Sequence, residues 1–596
     1  MSTYIAPVKD MLFAMNELAG LQDIVTLPGN EEVSIDLVEA ILDEAGKFAT
    51  EVVDPLNPVG DRQGNKWKDG VVTTADGFKE AYASFCETGW NGMPASTEFG
   101  GQGLPVTVST AVLEMWKSAS TSFSLCQMLT LGAVEAIAHH GSDELKATYL
   151  PNMVSGKWTG TMNLTEPQAG SDLAAIRSKA EPRGDGTYAI SGTKIFITWG
   201  EHDMAENIVH LVLARLPDAP PGVKGIRLFI APKFLVNADG SLGERNDLIC
   251  ASIEHKMGIH GSATAVMSFG DKGGAIGYLV GEPNRGLEYM FTMMNHARLN
   301  VGLEGVGVSE RSYQHALAYA RDRIQGKIIG DKSGEKKPIL HHPDVRRMLM
   351  DMKSRTEAGR AIAYYVAGCM DRAKSSPDAE VRKTNQTRLE LLTPVVKGWC
   401  TENAQGITWN GVQVHGGMGF IEETGASQYM RDARIITIYE GTTAIQANDL
   451  IGRKTAKEGG KSMQALLADI AATRAALTAT GNPALTALAD SLGDGIAALD
   501  EATNWLLATY DAKPQAAAAG SVPFLKLTGI VVGGWLMARS AQVAAGRLDG
   551  ADGDFYKAKL GTANYFAQHV MPEANAYRDA IVNGAESVLA LEEALF

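Results

Sequence analysis

The sequence has few cysteines, and they form no metal-binding or disulfide pattern. Only five occur in 596 residues, scattered from Cys86 to Cys400, and no two of them form a Cys-x-x-Cys pair. Isolated cysteines among apolar neighbours are typical of reduced core residues. We therefore expect neither a metal centre nor a disulfide framework.

Basic residues are also too few to give the chain a positive field. The sequence has 54 Lys and Arg against 69 Asp and Glu, a formal net charge of -15 at pH 7 and a pI near 5.4. A negative field repels nucleic-acid phosphates and anionic lipids. The composition argues against a nucleic-acid-binding protein, and an anionic ligand would need local cations.

Long apolar runs are missing as well. Residues 1–7 lack the basic and apolar regions of an export signal. The longest apolar stretch, residues 527–538, contains three glycines and is shorter than the roughly 20 residues that cross a bilayer core. We expect a cytoplasmic protein without a transmembrane segment, and the sequence leaves surface attachment to a membrane open.

The length and the apolar periodicity predict several domains. A chain of 596 residues exceeds what one hydrophobic core supports and suggests roughly three to four domains. Helical spacing of apolar residues, then short strand-like runs, then helical spacing again predict an α+β fold. The predicted segments are an N-terminal extension (1–34), a helical domain (35–158), an antiparallel β domain (159–284), a bundle of about five helices (285–458) and an alanine-rich C-terminal helical domain (459–596). The predicted strands of the β domain are 188–198, 208–216, 226–230, 253–257 and 265–269.

The segment from Ile438 to Gln446 sets one carboxylate, Glu440, beside Tyr439 and before Gly441. An apolar neighbourhood would desolvate the carboxylate and raise its proton affinity, and glycine allows a ligand to approach the backbone closely. Glu440 is therefore a candidate catalytic base. The alternative is a loop glutamate that caps the helix that follows.

Three other segments could bind a ligand, and each has a purely structural alternative. Residues 161–172 contain hydroxyl side chains together with a proline and a glycine. The segment could bind the polar edge of a flavin ring, or it could be a turn that ends in a helix N-cap at Ser171 or Asp172. In residues 194–200, Phe196 and Thr198 are two apart and should lie on one side of a strand, for a ligand or for packing. Residues 413–420 contain three glycines, suited to a phosphate or to a helix C-cap.

Two arginines could meet an anionic ligand. Arg298 and Arg323 are 323 − 298 = 25 residues apart, about seven helical turns, so both could share one helix face. Solvated surface charge at a helix end is the alternative for Arg323.

In this order, these segments resemble the acyl-CoA dehydrogenase family over residues 35–452. The most specific elements are Thr165-Glu166-Pro167 with Gly170-Ser171-Asp172, Phe196-Ile197-Thr198, the two arginines, the glycine cluster and Tyr439-Glu440-Gly441-Thr442. The tail beyond Lys461 is similar to that of the larger branch of the family, which has an added C-terminal helical domain. The resemblance implies a barrel-like middle domain and a homodimer.

The resemblance also implies FAD as the cofactor and assigns site residues. The residues assigned to the isoalloxazine ring are Met162, Leu164, Thr165, Phe196 and Thr198, and Thr442 and Ala444 are assigned to the same, near FAD. The pyrophosphate and adenosine part of an FAD in the neighbouring subunit is assigned to Arg323, Gln413, Gly416 and Gly417. The acyl-CoA is assigned to Ser171, Arg298 and Gly441. Glu440 is the implied base, because the other family position for a base is Ala297 here. The sequence departs from the family after Arg323, where a phenylalanine is absent, and at Phe196, where many relatives have tryptophan.

The implied activity is FAD-dependent α,β-dehydrogenation of an acyl-CoA to a trans-2-enoyl-CoA, as in β-oxidation and fatty acid metabolism, with electrons passed to electron-transferring flavoprotein. Short or medium acyl groups are favoured, and a thioether acyl group such as 3-methylmercaptopropionyl is among the candidates. Two alternatives remain open: an acyl-CoA oxidase, and a catalytically silent flavoprotein of the same fold that binds DNA or a protein partner.

Overall fold

A helical region, a β region and two further helical regions follow one another in a computed structural model that describes residues 3–282 and 285–596. The α+β fold class predicted from the sequence is confirmed. The predicted boundary at residue 284 and the first two residues of the extension lie outside the described residues. The chain divides into two compact units: a first unit of residues 1–46, 105–118 and 298–596, and a second unit of residues 47–104 and 119–297.

The first helical region begins with short helices and ends with three longer ones. Its α-helices are α1 (Val8–Phe13), α2 (Leu21–Ile24), α3 (Ile35–Phe48), α4 (Leu56–Gln63), α5 (Phe78–Glu87), α6 (Val106–Ala119), α7 (Thr121–His140) and α8 (Asp143–Val154). Serine hydroxyls cap two of them, since Ser120 accepts from Phe123 N (3.4 Å) and Ser142 from Leu145 N (3.2 Å). Most side chains of α7 are buried, so this helix lies in a core.

The β region contains most of the strands. The twelve strands of the described chain are β1 (Lys66–Lys68), β2 (Val71–Thr73), β3 (Trp158–Asn163), β4 (Lys179–Pro182), β5 (Tyr188–Thr198), β6 (Asn207–Arg215), β7 (Ile226–Pro232), β8 (Phe234–Val236), β9 (Leu242–Arg245), β10 (Leu248–Ile253), β11 (Thr264–Phe269) and β12 (Ala275–Leu279). β6 and β7 are buried along almost their whole length, as expected of strands covered on both faces.

The strand pairings close a small barrel, as the family resemblance implied. β5 pairs with β12, β12 with β7, β7 with β6, β6 with β4 and β4 with β5, which completes a ring of five strands. β11 extends the sheet from β5, and β3 extends it from β6. Most pairs are antiparallel as predicted, but β3 and β4 both run parallel to β6.

One predicted strand is wrong. The strand predicted at 253–257 is in fact β10, which runs from Leu248 to Ile253 and ends where the prediction began. The alternation of Ile253, His255 and Met257 imitates a strand, but the chain leaves the sheet after Ile253 and reaches the left-handed region at Ile259, with φ of 46°. The strands predicted at 188–198, 208–216, 226–230 and 265–269 are present within one or two residues.

The third region has the five helices predicted for a bundle. They are α9 (Gly286–Asp322), α10 (Pro343–Ser375), α11 (Ala379–His415), α12 (Ala426–Ile436) and α13 (Thr443–Gly452). α9 is one continuous helix of 37 residues that contributes to both units, since its residues from 298 onward belong to the first unit. Arg298 lies inside it and is buried, whereas Arg323 lies beyond its last residue and is exposed. Arg323 N still donates to Tyr319 O at 2.9 Å, as in a helix, so the shared helix face stays a prediction, although only Arg298 is buried.

The C-terminal region is helical throughout, as its composition predicted. It comprises α14 (Lys461–Ala479), α15 (Pro483–Thr509), α16 (Pro514–Ala519), α17 (Ser521–Ala545), α18 (Gly553–Tyr565) and α19 (Glu573–Leu589). Two helices of the described chain, α7 and α17, are long and apolar enough to cross a membrane, although 89% and 83% of their most apolar windows are buried inside the protein. Burial of that extent is what core helices show.

Candidate functional site

Glu440 lies in a strained loop between α12 and α13. Its φ is 54°, in the left-handed region, and Gly441 follows with φ of 90°. A non-glycine residue in this region costs free energy, and such residues cluster at functional sites. The helix that follows is capped by Thr442, whose hydroxyl accepts from Ile445 N at 3.2 Å. Glu440 therefore does not cap α13, and the structural alternative considered for it is wrong.

The carboxyl group of Glu440 has a raised proton affinity. Burial raises its pKa to about 7, and the nearby carboxylate of Glu304 acts in the same direction, against the lowering effect of Arg298 and Lys397. The carboxylate makes no hydrogen bond or ion pair among the described residues. This is the desolvation that the sequence predicted, and it leaves the carboxylate available to a ligand.

Arg298 lies next to the loop. It is buried, and its Nε has no hydrogen-bond partner among the described residues. A Cβ atom added to Gly441 would lie 3.9 Å from Arg298 Nη2 and 2.6 Å from Gln446 Nε2, so glycine is required where this backbone approaches its neighbours. The charges of Asp449 and Glu440 favour the guanidinium ion, while burial lowers its pKa. The structure thus brings three of the predicted site residues together in the first unit.

A second carboxylate, that of Glu304, is buried next to the loop. The Tyr439 hydroxyl donates to Glu304 Oε2, and Lys117 Nζ lies 3.9 Å from Glu304 Oε1. Glu304 and Lys117 are fully buried and Tyr439 is half-buried, and burial raises the pKa of both Tyr439 and Glu304. The contact with Glu304 fixes the tyrosine that precedes the candidate base.

In the second unit, the turn after β3 is held by a buried ion pair. Glu166 lies 2.8 Å from Lys194 Nζ, which also donates to Leu164 O at 3.0 Å. Glu166 further accepts from the backbone N–H groups of Arg177 (2.7 Å) and Ser178 (3.1 Å). Burial alone would raise the pKa of Glu166, but Lys194 and these donors lower it to about 2. The pair holds the Leu164–Thr165 backbone in one position.

The same ion pair brings two of the predicted segments together. Ile195 N donates to Thr165 O at 2.9 Å, which links the turn to β5 just before Phe196. The hydroxyls of Thr165 and Thr198 make no hydrogen bond among the described residues, and both residues are half-buried. Met162 and Leu164 are buried beside them in sequence. These groups could contact the edge of a flat polar ring.

Phe196 is in a strained conformation that its sequence did not predict. Its φ is 60°, and 59% of its surface is exposed although it is a large apolar residue. The register between β11 and β5 shifts between Ala265 and Met267, which places a bulge at this point of the strand. The simple alternation that was to put Phe196 and Thr198 on one side of the sheet is interrupted there. An exposed, strained aromatic side chain is suited to stacking on a ligand.

Of the two candidate N-cap residues, Asp172 has a structural role. Ser171 is exposed, and Asp172 caps a short 3₁₀ helix, Leu173–Ala175, by accepting from Ala174 N at 3.0 Å. The N-cap alternative is therefore correct for Asp172. The contact predicted between Ser171 and an acyl-CoA stays a prediction.

The residues predicted to hold a pyrophosphate lie at the ends of two bundle helices. α11 ends at His415, and the exposed Gly416 and Gly417 begin a 3₁₀ turn; a Cβ atom added to either of these two glycines would meet no atom within 4 Å. The His415 ring lies 4.5 Å, centroid to centroid, from Tyr319, one turn before Arg323. Gln413, Arg323 and Ala444 are exposed. The turn is the C-cap of α11, as the structural alternative predicted, and its contact with a pyrophosphate stays a prediction.

The sequence reasoning missed Lys397 and Glu304, which are both completely buried and both near Glu440. The available signal was one lysine inside the apolar run Pro394-Val395-Val396-Lys397-Gly398-Trp399. A lysine is almost never fully buried unless its charge is paired, so this position predicts a carboxylate nearby. Which carboxylate it would meet depends on helix packing and could not be predicted.

The sequence matches four domain families of one enzyme class along its length. They are the acyl-CoA dehydrogenase N-terminal domain (36–157), middle domain (161–271) and C-terminal domain (284–455), and the acetyl-CoA dehydrogenase C-terminal-like domain (463–592). The chain is 49% identical over 588 residues to 3-methylmercaptopropionyl-CoA dehydrogenase of Ruegeria pomeroyi, covering 98% of this chain and 99% of the relative. The chain belongs to the acyl-CoA dehydrogenase family.

Two further acyl-CoA dehydrogenases illustrate how far the similarity extends. The broad-specificity linear acyl-CoA dehydrogenase FadE5 of Mycobacterium tuberculosis is 35% identical over the full length of both chains. The acyl-CoA dehydrogenase of Bacillus anthracis, solved in complex with FAD, has the same fold with a TM-score of 0.73 at 21% identity, covering 96% of this chain and 91% of that one. The predicted family and its larger branch are confirmed.

FAD is the cofactor of acyl-CoA dehydrogenases, and the residues of this chain fit it. In the second unit, two threonine hydroxyls that make no hydrogen bond within the described part of the chain suit the edge of an isoalloxazine ring, and an exposed phenylalanine suits its face. In the first unit, the exposed guanidinium of Arg323 suits a phosphate group, and the family resemblance assigns it to an FAD in the neighbouring subunit.

Proposed function

We propose that the enzyme removes the pro-R Cα proton and a Cβ hydride from a saturated acyl-CoA and releases a trans-2-enoyl-CoA, with Glu440 as the base. The observation that carries this assignment is a carboxyl group with a pKa of about 7 and no hydrogen-bond or ion-pair partner among the described residues, in a strained loop beside a buried arginine. A bound FAD supplies the two-electron acceptor, since its oxidised ring takes up a hydride. Side chains and backbone groups of the protein take up the proton and orient the substrate.

Glu440 takes the Cα proton because its pKa suits proton transfer near neutral pH. A base poised near the working pH combines a large ionised fraction with useful basicity. The Glu440 backbone N–H makes no hydrogen bond among the described residues, so it can donate to the thioester carbonyl. A donor that stabilises developing enolate charge contributes about 3 to 4 kcal/mol in comparable sites. Arg298 and Gly441 would hold the substrate against the base.

Replacing Glu440 with Gln tests the base. The variant should still bind FAD and stay yellow, because no cofactor contact is removed, yet acyl-CoA should bleach the flavin at least about 100-fold more slowly. Matched replacement of the exposed Glu422 with Gln should leave bleaching unchanged. Bleaching of the Glu440 variant at the normal rate would eliminate Glu440 as the base.

The substrate is proposed to be a short or medium acyl-CoA, with 3-methylmercaptopropionyl-CoA as the first candidate. The support is the 49% identity over nearly the whole chain to a relative named for that substrate, against 35% to a relative named for broad specificity. A panel of acyl-CoA esters of graded length, with the thioether acyl and its carbon isostere side by side, should give the highest kcat/KM for the thioether. Equal values across the panel would favour broad specificity instead.

Electron-transferring flavoprotein is the proposed electron acceptor, as the family resemblance implies. An acyl-CoA oxidase would pass its electrons to oxygen and release one hydrogen peroxide for each enoyl-CoA formed. Measuring peroxide in air alongside product formation with an artificial acceptor separates the two. Stoichiometric peroxide would overturn the dehydrogenase assignment in favour of the oxidase.

A cytoplasmic homodimer is the proposed assembly. Trp409 and Phe420, near the end of α11, are 60% and 85% exposed, and large exposed apolar groups of this kind suit an interface. Light scattering at micromolar concentration should give twice the mass of the 63.5 kDa chain. Replacing Phe420 with Ser should weaken the dimer, whereas the same change at the exposed Ile5 of the N-terminal segment should not.

A further inference from the structure

Lys397 is a buried cation to which the mechanism above gives no role. It lies in the middle of α11, is completely buried, and its Nζ has no hydrogen-bond partner among the described residues. A buried ammonium ion without a partner is costly, and a lysine in mid-helix at this depth cannot extend its charge to solvent. Some neighbouring charge must therefore offset the cost.

The packing of two helices fixes where Lys397 lies. A Cβ atom added to Gly302 of α9 would lie 2.7 Å from Val396 O, and one added to Gly305 would lie 2.6 Å from Cys400 O. The backbones of α9 and α11 thus touch on both sides of Lys397, next to Glu304. On another side of α11, a Cβ atom at Gly398 would meet the Leu525 side chain of α17 at 2.6 Å. The lysine cannot leave this position without separating the helices.

Three carboxylates act on the Lys397 ammonium ion: Glu440, Glu304 and Glu402, with the opposing charge of Arg298. Two of them have other partners. Glu304 accepts from Tyr439 and lies near Lys117, while Glu402 accepts from the Thr443 hydroxyl at 2.7 Å and lies 3.1 Å from Lys526 Nζ. Only Glu440, of the three, has no hydrogen bond or ion pair among the described residues.

We propose that Lys397 is a positioning residue of the dehydrogenation site, whose buried charge keeps the Glu440 carboxylate ionised and ready to accept the substrate proton. The inference rests on the proposed role of Glu440 as base. The charged groups facing this pair are Arg298 and Glu304 on α9, Glu402 on α11, and, one step further, Asp449 and Arg453 around Arg298. When Glu440 has taken the Cα proton and become neutral, the same charge favours loss of that proton to solvent, which restores the base.

Replacing Lys397 with Met tests the proposal through the pH dependence of kcat/KM. Without the positive charge the ionised form of Glu440 is less favoured, so the acid limb should move up by about one pH unit. At pH 7 that lowers kcat/KM by about fivefold, because the ionised fraction falls from about one half to about one tenth. Burial lowers the pKa of Lys397 itself to about 8, so variant and wild type should converge above about pH 9, where neither carries a charge at this position.

Two further variants separate charge from shape. Replacing Lys397 with Arg restores a permanent charge and should bring the acid limb back toward the wild-type position. Replacing Lys353, whose charge is paired with Glu357 in a different cluster, with Met should leave the pH profile unchanged. A uniform loss of activity at every pH in the Lys397→Met variant, or a raised KM with an unmoved acid limb, would overturn the proposal.

A spectroscopic measurement makes the result independent of turnover. The infrared carbonyl band of the protonated Glu440 side chain, assigned by its absence in the Glu440→Gln variant, should titrate at higher pH in Lys397→Met. An unmoved band with a clearly assigned midpoint contradicts the role of Lys397 alone. Full activity of the Glu440→Gln variant would instead contradict the proposed function, so the two failures are distinguishable.

Discussion

The pH dependence of the wild-type enzyme follows directly from the environment of Glu440. An ordinary glutamate is ionised throughout the neutral range, whereas burial raises the pKa of Glu440 to about 7. The active form is the ionised base, so activity is lost as pH falls through this value. Between about pH 6 and pH 8 the ionised fraction rises from about one tenth to about nine tenths, which predicts a roughly tenfold increase in kcat/KM.

The assay is kcat/KM measured with an artificial electron acceptor in buffers of constant ionic strength, with a saturated acyl-CoA that the enzyme accepts. Binding of the enoyl-CoA product, followed by its effect on the flavin spectrum, provides the control for titration of the ligand itself. If product affinity is constant while kcat/KM rises about tenfold, the titration belongs to the base. A flat kcat/KM from about pH 5.5 to pH 8 would refute the reasoning, since it would give Glu440 an ordinary pKa.

Two further variants test the geometry around the base and the cofactor. Replacing Gly441 with Ala puts a Cβ atom on a backbone with φ of 90° and within 2.6 Å of Gln446 Nε2. The displaced loop should lower kcat/KM by about tenfold or more while the circular dichroism spectrum stays unchanged. Normal activity would show that the loop does not need glycine at this position. Replacing Glu166 with Gln leaves Lys194 buried without its counter-ion. The free energy of unfolding should fall by about 3 to 5 kcal/mol, and FAD should bind more weakly. Replacing the exposed Glu98 with Gln should change neither quantity. Because the pKa of Glu166 is lowered to about 2, the wild type should keep this stabilisation at neutral pH and lose it only as the pH falls from about 4.5 toward 2.

Regular elements were predictable from the sequence because their signals are local. The strand β5, Tyr188–Thr198, was placed without error, and the five bundle helices follow from apolar spacing alone. Glu440 was found because an aromatic residue, a carboxylate and a glycine occur in succession. In each case the information lies within a few consecutive residues.

The features that were missed depend on contacts between distant residues. The bulge at Phe196 comes from the register between β5 and β11, and no residue of the strand itself signals it. Lys397 is buried beside α9 because α9 and α11 touch at Gly302 and Gly305, and its charge there acts on Glu440. The different burial of Arg298 and Arg323 depends on what packs against each end of α9, and neither residue signals it.

The charge of Lys397 has a stability cost that argues for its functional role. Burial lowers the pKa of Lys397 from 10.5 to about 8, so holding it charged at pH 7 costs the folded state about 3 kcal/mol relative to the unfolded chain. A methionine of similar length would remove that cost, and the Lys397→Met variant should unfold at a higher temperature at pH 7, with the gain shrinking as pH rises from about 8 to 10.5. A gain in stability together with a loss of activity below pH 8 is what a residue retained for catalysis predicts. A lower unfolding temperature would mean that the ammonium ion is paired in solution and that its position is structural.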